Sequence, residues 1–265
     1  MKSFSFQSYG VNVAVDCSDS EILDKAEAAI RVGLLGRLTI IDRTEATHVF
    51  LITKPRGEFR VDRNGEFLSE GGEEAGFFDY FEAIVRVLIA EHAVELVFLH
   101  SGAVVWNGKA IIFPANSFSG KSTIVAEFVR RGAIYYSDEY AILDKLGQLH
   151  PFPRLISLRD FTDGFRRNDV SAESIGGDIG VNPIPVSYVM LLQYQANARF
   201  APQILSHGNG LLQLIPQAIS LRFKSKFTLE VLNTVANNAI VLKSLRGEAK
   251  NTVAKIIKLV DKAIF

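Results

Sequence analysis

The chain has 265 residues, enough for one large α/β domain or two smaller ones around a substantial core. Hydrophobic residues make up 48% and charged residues 22%, an ordinary globular balance. Basic and acidic residues number 29 each, and the absence of net charge argues against nucleic acid as the main partner. The single cysteine, Cys17, has no internal disulfide partner, which fits a reducing cytoplasm, and Asp16, Ser18 and Asp19 beside it supply no activating cation. The opening Met-Lys-Ser-Phe-Ser-Phe-Gln has no continuous apolar core, so no secretory signal is expected. The most apolar region, Ala83 to Leu99, is broken by Arg86, Glu91, His92 and Glu95, so no membrane span is expected either.

In chain order, residues 1–93 read as a small α+β region of unassigned role. Ser18 and Glu21 form a capping-box pattern, and Ile22, Ala26, Ala29, Ile30 and Gly33 follow at helical spacing. Leu38 to Ile41 and Thr47 to Thr53 are β-branched runs. Asn64-Gly65, flanked by Phe59, Val61 and Phe67, is a type I′ hairpin signal, because both residues accept positive φ. A long helix is predicted over Ala75 to Ala93, with Phe77, Phe81, Ile84 and Leu88 on one stripe and His92 as a polar residue at its end.

Residues 94–265 read as a second, larger domain. Val94 to Leu99 and Gly102 to Trp106 are strand-like, Asn107-Gly108 is another hairpin turn, and Lys109 to Phe113 is a buried strand. A helix is predicted over Lys121 to Arg131, with Ile124, Val125, Phe128 and Val129 inward and Gly132 as its stop. Ala133 to Tyr136 is a short strand ending at Ser137-Asp138-Glu139, and a hairpin follows around Asp144 to Gly147. A strand at Tyr188 to Gln193, a helix near Phe227 to Asn238 and a strand at Ile240 to Leu245 come next. The last helix starts at Glu248 and buries Val253, Ile256, Ile257, Val260 and Ile264.

The nine residues Ala115, Asn116, Ser117, Phe118, Ser119, Gly120, Lys121, Ser122 and Thr123 match the relaxed phosphate-loop (Walker A) pattern, with alanine at the first glycine position. A strand enters the loop and a helix leaves it, so backbone N–H groups and the helix dipole face a bound phosphate. In that geometry Gly120 permits close approach, Lys121 reaches the terminal phosphates of ATP and the Ser122 hydroxyl can ligate Mg²⁺. Such a site also needs a carboxylate at a neighbouring strand end, and Asp138 and Glu139 close the apolar run after the loop helix.

Leu99 to about Arg159 resembles the catalytic domain of HPr kinase/phosphorylase. The resemblance rests on the order Leu99-His100, Val104 to Trp106, Ala110 to Phe113, the phosphate loop, Arg130-Arg131-Gly132 and Ser137-Asp138-Glu139. It is closer to a looser group of HPr kinase-like proteins sharing the Ser-Asp-Glu and Pro151-Phe152-Pro153-Arg154 segments, some of which phosphorylate a serine on a precursor peptide. The resemblance implies an α/β phosphate-loop kinase core of the HPr kinase and phosphoenolpyruvate carboxykinase type, a mixed sheet with flanking helices. It implies an ATP- and Mg²⁺-dependent transfer to a serine hydroxyl of a protein or peptide. Asp138 would take the acceptor's proton, His100 would sit near that carboxylate and the phosphates, and Lys121, Ser122, Asp138 and Glu139 would hold phosphate and metal. Arg154 and Arg159 would be phosphate contacts, and the family's homo-oligomers suggest self-association. This sequence departs from the family in four respects: Ala115, Phe118 and Ser119 make the loop poorer in glycine, Thr123 replaces an acid, Ser157 stands where a metal-binding glutamate is expected, and the later arginine- and proline-containing loop linked to phosphorolysis is not visible. A small-metabolite kinase and a nucleotide-dependent sensor or assembly protein are the alternative expectations.

Overall fold

The structure is a computed structural model that describes residues 1–116, 119–160 and 166–262. The side chains of Ala75, Arg159, Asp160, Arg166 and Arg167 lie outside that description. Ser117, Phe118 and Ile264, and the side chain of Arg159, therefore fall outside the described residues. The chain divides into two units, Met1–Val94 and Glu95–Phe265. Both are α/β, with mixed sheets and flanking helices.

In the first unit β1 (Lys2–Ser8) and β2 (Val11–Cys17) form an antiparallel hairpin that the sequence pattern did not announce. Its turn, Tyr9-Gly10, has φ of 48° and 77°, the pair of positive angles that matches strand twist. Helix α1 (Ser20–Gly33) carries the chain to a parallel partner, and its cap is Asp19 rather than Ser18. The Asp19 carboxylate accepts from the N–H groups of Glu21 and Ile22. After β3 (Thr39–Ile40) come β4 (His48–Thr53), β5 (Arg60–Arg63) and β6 (Glu66–Glu70), giving the sheet order β3-β1-β2-β4-β5-β6. Asn64-Gly65 makes the β5–β6 turn, with φ of 51° and 84°.

Helix α2 (Glu74–His92) packs with α1 over this sheet. Its buried face is Phe77, Phe81, Val85, Leu88 and Ile89, while Ile84 is only partly covered. Phe6, Phe50 and Phe81 are fully buried, each contributing about 1.5–3 kcal/mol of hydrophobic free energy. Arg86, also buried, is paired with Glu82 at 2.6 Å, one turn back on the same helix. The His92 ring lies 4.7 Å from that of His48.

The second unit opens with one long strand, β7 (Leu96–Trp106), where the sequence suggested two. The turn Asn107-Gly108 leads into β8 (Lys109–Pro114). Helix α3 (Lys121–Val129) is followed by β9 (Ile134–Ser137), β10 (Tyr140–Asp144) and β11 (Gln148–His150). The strands β12 (Ile156–Asp160) and β13 (Arg166–Val170) pair with each other. Then come β14 (Ile184–Tyr194), β15 (Gln203–Ile204), α4 (His207–Leu214), α5 (Ser225–Asn238), β16 (Ile240–Arg246) and α6 (Ala249–Lys262).

The main sheet runs β11-β10-β7-β8-β14-β16-β15, with β9 also on β7 and β11 also on β14. Alternation along the strands splits the core in two. Ile111 and Phe113 of β8 meet Ile124, Phe128, Val253 and Ile256 of α3 and α6. Ala110 and Ile112 face the opposite layer, formed by Leu214, Val231 and Val235 of α4 and α5. Strands β8, β14 and β16 are parallel, and β9, antiparallel to the intervening β7, points the same way. Four strand ends, Pro114, Ser137, Tyr194 and Arg246, therefore share one edge, where ligands of open α/β sheets bind. Among the described residues no helix is long and apolar enough to cross a membrane.

Candidate phosphate-binding site

The loop leaves β8 at Pro114 and is tied at its start by the Ala115 N–H, which donates to the His100 carbonyl at 3.3 Å. It enters α3 through Gly120, whose φ of 81° is left-handed and open to glycine at little cost. A second reason for glycine there is contact: a Cβ at position 120 would lie 2.2 Å from an Arg246 guanidinium nitrogen. No side-chain hydrogen bond caps α3 among the described residues, which leaves its first N–H groups to an anion.

Lys121 is buried in the first turn of α3, and its Nζ donates to the carbonyls of Ala115 at 2.9 Å and Asn116 at 2.8 Å. Burial lowers its pKa to about 8, while the charges of Asp138 and Glu139 pull it back up. The lysine is thus still charged at neutral pH and held by its own loop. Thr123 is exposed on the outer side of the same turn.

Asp138, directly after β9, is buried near Ser122 in the first turn of α3. Its Oδ1 accepts from the Tyr135 hydroxyl at 3.0 Å and its Oδ2 from the Ser157 N–H at 3.0 Å. Burial raises the Asp138 pKa; the bonds from Ser157, Ser122 and Tyr135 oppose that shift, and the charge of Glu139 adds to it. Tyr135 stays a donor, since burial and the Asp138 charge hold its own pKa well above the ordinary value.

Glu139 turns toward Arg154, whose Nη1 donates to its Oε2 at 3.2 Å. Arg154 is therefore an ion-pair partner of the second acid. The His100 ring lies near Lys121: burial first, and then the Lys121 charge, lower its pKa to about 4. No hydrogen bond joins the ring to Asp138 among the described residues. The structure thus gathers Lys121, Ser122 and Asp138, sets His100 beside the lysine, and puts Arg154 with Glu139. Ser157, where the sequence comparison expected a glutamate, reaches Asp138 through its backbone.

Arg246 belongs to this site and was not singled out from the sequence. It ends β16, is 4% exposed, and its Nη2 donates to the carbonyls of Ser119 at 2.9 Å and Gly120 at 3.4 Å. Its guanidinium lies 4.9 Å from the Tyr194 ring centre, a cation–π distance. The only available signal was its place at the carboxyl end of a strand, directly before Gly247 and a helix. Arg246 Nε and Ser119 Oγ are the buried side-chain polar atoms without a partner among the described residues. Both residues line a cavity of about 10 Å³ beside the loop, about the space of one water.

A magnesium ion fits the donors present. The Ser122 hydroxyl and the Asp138 carboxylate are neighbours, and Mg²⁺ typically takes one or two protein oxygens and completes its shell from phosphate and water. Among the described residues no cluster of three or more acidic, histidine or cysteine side chains could hold a metal unaided. No protein-family model matches the chain, and no curated protein matches it.

Proposed function

We propose that the unit Glu95–Phe265 is a phosphate-loop phosphotransferase of the HPr kinase-like type, using ATP and Mg²⁺ to phosphorylate a hydroxyl, with a serine of a protein or peptide as acceptor. The observation that carries this reading is a buried lysine near a buried, oriented carboxylate: Lys121 is bonded to the Ala115 and Asn116 carbonyls of its own loop, and Asp138, held by Tyr135 and Ser157, lies close enough for its charge to act on that lysine. That is the arrangement phosphoryl transfer needs, since catalysis there is mostly positioning and charge stabilisation.

The chain's own groups divide the work. Loop N–H groups and the α3 N-terminus bind phosphate, and Lys121 exchanges its Ala115 and Asn116 carbonyls for phosphate oxygens. Asp138 accepts the acceptor's proton, and its raised pKa brings its basicity closer to neutral pH. Tyr135 and Ser157 fix the orientation of that carboxylate. Ser122 and Asp138 would hold Mg²⁺, which when bound neutralises charge on the phosphates. Incubation of the protein with γ-labelled ATP, Mg²⁺ and peptides or lysate tests the reading; label on a discrete acceptor with wild type and none with Asp138→Asn is the expected result. ATP binding without transfer to any acceptor would favour the sensor reading instead, which Ser157 at the glutamate position supports.

A further inference from the structure

We propose that the open cleft beside the phosphate loop, over the carboxyl ends of β14 and β16, is the nucleoside subsite, and that its lining favours adenine over guanine. The inference rests on the reading that the loop binds a nucleotide. Its cavity of about 780 Å³ lies within the range of small-molecule sites.

Position comes first. Strand β8 has β7 and β9 on one side and β14 and β16 on the other. The end of a phosphate chain to be transferred must face Asp138, which follows β9. The rest of the nucleotide then leaves on the opposite side, over β14 and β16. The cleft is there, and it shares Ala115, Asn116 and Ser119 with the loop. Gln217 of the 3₁₀ turn Ile215–Gln217 joins the two by donating to Asn116 Oδ1 at 3.1 Å.

Chemistry comes second. The lining offers four glutamines, Gln193, Gln203, Gln213 and Gln217, and two cations, Arg199 and Lys243, with no aspartate or glutamate among the described residues. The side chains of Gln193, Gln203 and Arg199 make no hydrogen bond or ion pair among the described residues, and Lys243 reaches only Gln213, at 3.5 Å. A carboxamide donates and accepts side by side, which complements adenine's adjacent N6 donor and ring-nitrogen acceptor. Guanine presents adjacent N1–H and N2–H donors, for which a carboxylate is the natural partner, and none lines the cleft. Arg199 and Lys243 suit the phosphate nearest the ribose.

The test is calorimetric titration of the full chain with Mg·ATP, Mg·GTP and Mg·tripolyphosphate, using wild type and Ala201→Trp. Ala201 lines the cleft, is exposed, and is held by its backbone N–H, which donates to Ser244 Oγ at 3.0 Å, so the indole fills space without disturbing that bond. Expected are ATP about tenfold or more tighter than tripolyphosphate and than GTP, and an Ala201→Trp protein that binds ATP no better than tripolyphosphate. Equal wild-type affinity for ATP and tripolyphosphate would overturn the subsite, and equal affinity for ATP and GTP would overturn the preference for adenine. Failure of all three ligands would instead sink the phosphate-loop reading itself. Loss of transfer in Ala201→Trp with ATP affinity intact would give the cleft to the acceptor and overturn the inference. Should Ala201→Trp not fold, Gln193→Ala with Gln203→Ala removes two exposed amides, with about fivefold weaker ATP binding expected, and unchanged binding counting against the proposal.

Discussion

The Arg246 guanidinium stands where a side chain at position 120 would begin, so the end of β16 and the phosphate loop are fitted to each other through a glycine. Gly120→Ala meets two penalties at once. A left-handed φ costs a non-glycine residue about 1–2 kcal/mol, and the arginine must move from carbonyls it now bonds. The expected result is about 1–3 kcal/mol of lost stability in urea unfolding, with at least about tenfold weaker nucleotide binding. Arg246→Ala removes the clash but not the φ penalty. The double variant should lose less than the sum of the two single losses, and strict additivity would show that the contact is not limiting.

Asp138→Asn keeps the shape of the side chain while removing its charge and basicity. Nucleotide binding should persist through the loop N–H groups and Lys121, while transfer falls by about a hundredfold or more. In wild type the transfer rate should fall as pH drops through a pKa above the ordinary carboxylate range, since burial raises it. A variant that transfers phosphate as fast as wild type removes Asp138 as the base.

Helix periodicity and turn chemistry made much of this fold legible in the sequence. Asn64-Gly65 and Asn107-Gly108 both turn hairpins with positive φ, and the inward faces of α3 and α6 follow the apolar spacing. Other features depend on contacts that no local pattern encodes. The sequence suggested a break at His100-Ser101, between Leu99 and Gly102, but β7 runs through it; a Cβ at Gly102 would come 2.6 Å from Val125, so the glycine lets α3 pack close. The first hairpin was hidden because tyrosine is an unusual residue at positive φ. Lys121, Ser122 and Asp138 were readable from motif and spacing. Arg246, more than a hundred positions from the loop, becomes part of the site only through the parallel pairing of β16 with β14 and of β14 with β8.

Lys121 gives a pH signature for binding. Its pKa is lowered to about 8 by burial, so it is charged below that pH and neutral above it. Bound phosphate favours the charged form. Affinity for Mg·tripolyphosphate should therefore be nearly constant below pH 8 and weaken by up to about tenfold per unit above it, until the pKa of the bound state is reached. Lys121→Arg stays charged throughout, and its affinity, whatever its absolute level, should be flat over the same range. A wild-type profile equally flat to pH 9.5 would show that the lysine is not the cation that meets the anion.

His100 gives the opposite kind of signature, in stability. Burial and the Lys121 charge lower its pKa from 6.5 to about 4, so the folded protein binds this proton less readily than the unfolded chain. Stability from this group is fully present above pH 6.5 and is lost as the pH falls from 6.5 toward 4, by on the order of 1–3 kcal/mol in all. Asp138 acts in the other direction, because protonation of a carboxylate with a raised pKa favours the folded state, so the wild-type curve alone mixes the two. The difference between wild type and His100→Gln isolates the histidine, since glutamine does not titrate. Urea midpoints measured at half-unit steps from pH 7 to 4.5 should converge as the wild type loses its advantage. Parallel curves would mean that the His100 ring titrates as it does in water, leaving Lys121 without a neutral neighbour at the mouth of the loop.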